Sequence, residues 1–137
     1  MVLDERLESG SEAICEFELC WVRLMRDGEN PWFLLIPKRE NLKDWDELTK
    51  EDRYKLTDEI DFICKVIKTT LKPDKINIAS LGNIVNQLHI HIIARFHDDR
   101  AWPGPIWGTS PQKEFGGHEV QKWKSIIKKI HTFEALK

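Results

Sequence analysis

The chain has 137 residues, 41% of them hydrophobic and 32% charged, with a formal net charge of −2 and a pI near 6.2. That length suits one domain with a real core, and the charge balance excludes the domain-wide basic field that nucleic-acid binding requires. The acidic start MVLDERLESG does not read as a signal peptide, and the longest apolar run, WFLLI, is too short to span a bilayer.

The expectation is therefore a soluble, unexported protein with no nucleic-acid or membrane partner. Cys15, Cys20 and Cys64 are odd in number and lack CxxC spacing, which argues against a disulfide framework or a zinc knuckle. A reducing cytoplasm fits, with the three thiols as small buried groups.

In chain order, Glu12–Asp27 shows strand-type alternation and reads as one long or two short strands. The GENP cluster turns the chain, and WFLLIPK (Trp32–Lys38) forms a strand that makes a hairpin with the segment before it. Leu56, Ile60, Ile63, Ile67 and Leu71 recur at helical spacing, with Thr49 as cap, Asp52 three residues on, and Pro73 as stop. KINIASLG is a further strand, closed by a turn at Gly82. QLHIHIIARF is the last strand, and WPGPIWG is rigid irregular chain. At the end, Val120, Trp123, Ile127 and Ile130 share one face of a helix whose lysines form a solvated side. Strands, helix, strands and helix imply an α+β fold: a mostly antiparallel sheet of about five strands, one long helix packed on it, and a C-terminal helix.

Four of the six tryptophans, Trp32, Trp45, Trp102 and Trp107, lie in polar or Pro/Gly settings. They read as covers for the edges of the core, with an aromatic wall for a planar ligand as the alternative.

The stretch NQLHIHIIARF carries the chemistry. Side chains alternate faces along a strand, so Gln87, His89, His91, Ile93 and Arg95 share one face, and Leu88, Ile90, Ile92, Ala94 and Phe96 the other. The second face is apolar and should pack on the long helix. For the first, three readings stand. The histidines can be a half-exposed polar face. They can be two metal ligands, although Gln87 is a poor third and nothing fixes His97 or Asp98 as a fourth. Or one imidazole can be a nucleophile, since it carries a free lone pair near neutral pH and a second histidine one pleat along can fix its tautomer or its approach.

QLHIHII resembles the histidine triad (HIT) signature, His-φ-His-φ-His-φ-φ with φ apolar, with Gln87 at the first histidine position, His89 at the middle one and His91 at the third. WFLLIPK resembles the family's hydrophobic strand ending in Pro-Lys, and NIASLGNIVNQLHIHI its Asn-bearing strand, Gly-Gln turn and triad. ARFHDDRAWPGPIWG resembles a bacterial branch whose triads also begin with Gln. The resemblance spans Ala13 to Gly108, which sets a HIT domain at 12–108 within a single domain 1–137 and leaves 109–137 as a C-terminal helical extension.

The resemblance implies a HIT-like α+β sheet, a two-fold homodimer, and hydrolysis or transfer at the α-phosphate of a small-molecule nucleotide, either a dinucleoside polyphosphate or a nucleoside phosphoramidate. In that scheme His89 attacks and forms a nucleotidyl-histidine intermediate, with no metal and no cofactor. His91 contacts the phosphate or leaving group, and Gln87 completes the catalytic row. Asp27 matches the residue that holds ribose hydroxyls, Asn77 and Asn83 match polar groups lining the phosphate site, and Trp102 matches a Trp-Pro after the triad. Two departures stand out. Gln87 cannot titrate, and Ile84 sits where many relatives carry Ser or Thr. They leave open a slow enzyme or, alternatively, a nucleotide-binding regulatory module with little catalysis.

Overall fold

The computed structural model describes residues 1–135, with side chains to His131. Strands β1 (Ser11–Glu16), β2 (Cys20–Met25), β3 (Trp32–Pro37), β4 (Lys75–Ala79) and β5 (Ile90–Arg95) form one antiparallel sheet in the order β1-β2-β3-β5-β4. Three α-helices join it: α1 (Glu5–Ser9), α2 (Lys50–Leu71) and α3 (His118–Ala135). Glu12–Asp27 thus resolves into two strands, with a register shift between Ala13 and Cys15.

The long helix forms as its spacing requires. Thr49 caps it by accepting from the Asp52 N–H at 3.1 Å. At the other end Lys72 turns left-handed, at φ 52°, immediately before Pro73. Leu56, Ile63, Val66 and Ile67 of α2 then meet Leu88, Ile90, Ile92 and Ala94 on one face of the sheet, with Trp123 and Ile127 of α3 in the same cluster. Each of the Leu, Ile and Val side chains among them contributes about 1.5–3 kcal/mol on burial, so the apolar face of β5 is fixed toward the helices.

The opposite face is covered differently. Leu7 of α1, Val85 and Ile106 pack with Trp32, Leu34, Ile36 and Ile93. The central strands β3 and β5 are therefore buried on both sides. The short helix α1 went unrecognised in the sequence, because five residues are too few to show a helical period. Of the three thiols only Cys20 is fully buried; Cys15 and Cys64 are half-buried, and all three are free. Among the described residues no helix is long and apolar enough to cross a membrane.

Candidate active site

His91 lies in β5 and His89 immediately before its first residue, on the face that α2 does not cover. Both are buried, at 6% and 7% exposure, and their ring centroids are 5.0 Å apart. A row of half-exposed polar residues does not look like this, so the bland reading of the motif fails.

The hydrogen bonds assign the ring protons by elimination. His89 Nδ1 is 2.7 Å from the Gln87 main-chain carbonyl. A carbonyl only accepts, so Nδ1 carries the proton and the neutral ring keeps its lone pair on Nε2. His91 Nδ1 is 2.9 Å from Trp32 Nε1. An indole N–H only donates, so His91 Nδ1 is the acceptor and the neutral ring's proton is on Nε2. Two adjacent imidazoles are thereby set in opposite tautomers, one presenting a lone pair and the other an N–H.

Burial pushes the His91 pKa down to about 4, and the neighbouring His89 adds to the effect. The ring is therefore neutral throughout the physiological range. Because its folded pKa lies below the ordinary 6.5, its contribution to stability is complete above about pH 6.5 and is lost as pH falls toward 4. The loss reaches about 3 kcal/mol from this group. A histidine-resolved NMR titration is expected to place the His91 midpoint near 4; a midpoint at the ordinary histidine value would contradict the buried, bonded ring.

The other expected site residues are spread over the molecule. The Gln87 side chain does not reach either imidazole with its hydrogen bonds. Its Oε1 accepts from the Asp4 N–H at 2.7 Å and its Nε2 donates to the Val2 carbonyl at 3.1 Å, while its main chain holds His89. Arg6 adds a bond to the Ile84 carbonyl at 2.9 Å, so the N-terminal segment is tied to the turn that leads into the histidines. Asn83 is exposed in that turn, just after Gly82 at φ 74°. Asp27 is buried in an ion pair with Arg100 and also accepts from the Glu29 and Asn30 N–H groups, which together hold its pKa below the usual carboxylate range against the cost of burial. Its Oδ1 accepts three of these bonds and its Oδ2 one, from Arg100. Asn77 accepts from Arg95 at 2.7 Å, and the Trp102 ring lies beneath the same guanidinium, 5.8 Å away. Those two residues support the far end of β5.

Two of the tryptophans singled out in the sequence meet the histidine pair. Trp32 and Trp107 close around His91, with centroids at 5.7 Å and 5.2 Å, and meet each other edge-on at 5.9 Å. The signal for Trp32 is the cross-strand register. Leu34 pairs with His91, so Trp32 sits diagonally beside it on the same face. Among the described residues no group of three or more His, Cys, Asp or Glu is placed to hold a metal ion. His97 faces Trp102 and Asp74 instead.

The fold and site define an antiparallel α+β domain with a paired-histidine strand. A HIT domain profile matches residues 6–98. Three solved structures align over most of their length and of this chain's. A histidine triad protein from Sinorhizobium meliloti 1021 is 41% identical, covering 93% of this chain and 95% of its own, with a TM-score of 0.88. One from Bradyrhizobium japonicum is 37% identical, covering 93% and 96%, with a TM-score of 0.88. One from Marinobacter aquaeolei VT8 is 35% identical, covering 92% and 92%, with a TM-score of 0.86. No curated protein matches the chain. The chain belongs to the histidine triad (HIT) family.

Proposed function

We propose that the protein is a nucleotide hydrolase or transferase that works at an α-phosphate through a covalent intermediate on His89. The observation that carries this reading is the pair of opposite tautomers. His89 Nε2 offers a lone pair, and His91 Nε2 offers an uncharged donor beside it. Attack of Nε2 on the α-phosphorus forms a P–N bond as the bond to the leaving group breaks, and the leaving group departs with that electron pair. Water then attacks phosphorus and gives up a proton to solvent, the P–N bond breaks, and the lone pair returns to Nε2. The His91 N–H is suited to a phosphate oxygen, where charge builds up in the transition state. Dinucleoside polyphosphates and nucleoside phosphoramidates are the substrate classes that fit. Of the nucleotide contacts anticipated from the motif, Asn83 is the exposed one.

The test is chemical trapping. Turnover of a labelled substrate, quenched in base, is expected to leave label on His89 as an alkali-stable phosphoramidate, with the rate unchanged by exhaustive chelation. Turnover without a labelled protein, or a rate abolished by chelator and restored by one metal, would exclude this mechanism.

A second reading, a nucleotide-binding regulatory module, draws on one observation. The Gln87 amide spends its acceptor and one N–H on the N-terminal backbone, so no titrating group stands there to serve the leaving group. Measurable affinity with no label and no turnover would select it.

A homodimer fits the exposed edge strand β4, where Ile78 is 52% exposed and the following Leu81 and Ile84 are 42% and 80% exposed. Light scattering at micromolar concentration is expected to give about twice the 16.2 kDa chain mass; an active monomer would contradict it.

A further inference from the structure

We propose that Trp32 is a positioning residue for His91: its indole N–H holds the imidazole in the one tautomer and orientation that present Nε2–H beside the lone pair of His89. The proposal deepens the nucleophile reading and rests on it for its catalytic consequence.

A core tryptophan would account for the indole body but not for where its N–H goes. Trp32 is 7% exposed and packed with Leu7, Leu34, Ile93 and Ile106, which leaves the ring little room to swing. Its Nε1 ends 2.9 Å from a ring nitrogen rather than a carbonyl. A flip or a tautomer change of His91 that put a proton on Nδ1 would set two donors against each other in a dry environment. It would also leave the indole N–H without a partner, an expensive loss when buried. Trp107 bars the third side, its plane at 87° to the His91 ring.

The chemistry explains why the partner is an indole. Trp32 cannot titrate, so it holds His91 wherever that ring is neutral. A carboxylate at the same place would draw the proton to Nδ1 and favour a charged imidazolium. The indole instead maintains a neutral donor.

The experiment replaces the Trp32 indole with benzothiophene, as 3-benzothienylalanine, which keeps the shape and removes the N–H. Trp32→Phe is made alongside. Protein labelled with nitrogen-15 in its histidines is read by NMR near pH 7, and turnover is followed on the best of a nucleotide panel. In the parent, His91 is expected to show protonated Nε2 and bare, hydrogen-bonded Nδ1. In the analogue the Nδ1 signal should move toward that of a free or mixed-tautomer ring. There kcat should fall by about tenfold to a hundredfold while KM changes by less than about twofold, since misplacement acts mainly on the chemical step. A parent with the proton on Nδ1 overturns the proposal. So does an analogue with the parental spectrum, whatever its rate, because packing alone would then explain any loss. A parent that turns over no nucleotide defeats the nucleophile reading instead, and the spectra still decide whether Trp32 holds His91.

Discussion

Replacing His89 by alanine is expected to reduce turnover by at least about a thousandfold while leaving nucleotide affinity within a few-fold of the parent. The size follows from the role. The reaction splits into two displacements only because one nitrogen takes the phosphorus and gives it back, and no other described group at the site presents a bare lone pair. His91 cannot substitute, since its Nδ1 is occupied by Trp32 and its Nε2 carries the proton. The fold should survive. The His89 side chain hydrogen-bonds the Gln87 carbonyl and faces away from the cluster between sheet and helices. Its loss resembles the removal of a half-polar buried side chain, about 1–3 kcal/mol. Turnover, isothermal titration with nucleotide and a thermal melt, run on the same preparation, separate chemistry from binding and folding. A clean His89→Ala protein that still hydrolyses at a tenth of the parental rate would end the nucleophile assignment.

The same variant discriminates the two functional readings. For a binding module, binding survives the loss of His89 and there is no turnover to lose. For an enzyme, affinity persists and turnover vanishes. Gln87→Ala adds a second contrast. Its main-chain carbonyl is retained and His89 keeps its partner, while the Asp4 and Val2 bonds go. A change in the N-terminal segment with an intact rate would separate the support of that segment from the chemistry.

What could be read from the sequence follows the range of its signals. Alternation on β5 places Leu88, Ile90, Ile92 and Ala94 toward α2 because the helix carries a matching apolar stripe, and both patterns are local. The histidine pair was legible for the same reason. Trp32 was not, because its meeting with His91 depends on the register between β3 and β5, 59 residues apart. Asp27 shows the same limit from another side. Its type and position resemble a ribose ligand, and its ion pair with Arg100, 73 residues away, has no local signal. Arg95 shares the alternation of the histidines, but its charge is spent on Asp99, four residues on, beyond the end of the strand. Alternation says which face a side chain takes; it does not say what meets it there.

That Arg95–Asp99 pair should give the largest stability effect in the molecule. The two side chains are 2% and 4% exposed, with Arg95 Nε and Nη2 reaching the two carboxylate oxygens at 2.8 and 3.1 Å. Asp99 also accepts from Asn30 Nδ2 and from the N–H groups of Phe96, Ala101 and Trp102. The Arg95 guanidinium and these other donors hold the Asp99 carboxyl far below the usual range, outweighing the cost of burial. A buried pair adds little over an apolar replacement of both partners, but removing one partner strands the other charge. Asp99→Ala is therefore expected to cost about 3–5 kcal/mol and lower the melting temperature by roughly 10–20 °C. It should also loosen the chain through Trp102 to Trp107, and with it the aromatic wall on His91. The sign with pH is fixed by the depressed pKa. The contribution is complete above the unfolded carboxylate value of about 4 and is lost as pH falls through the folded one. The gap between parent and variant should accordingly narrow in acid. Arg95→Met combined with Asp99→Ala removes the stranded charge and should be no less stable than Asp99→Ala alone. A loss below about 1 kcal/mol for Asp99→Ala, or a double variant much worse than the single, would show that Arg95 draws its stability from the Asn77 and Gly104 oxygens rather than from the carboxylate.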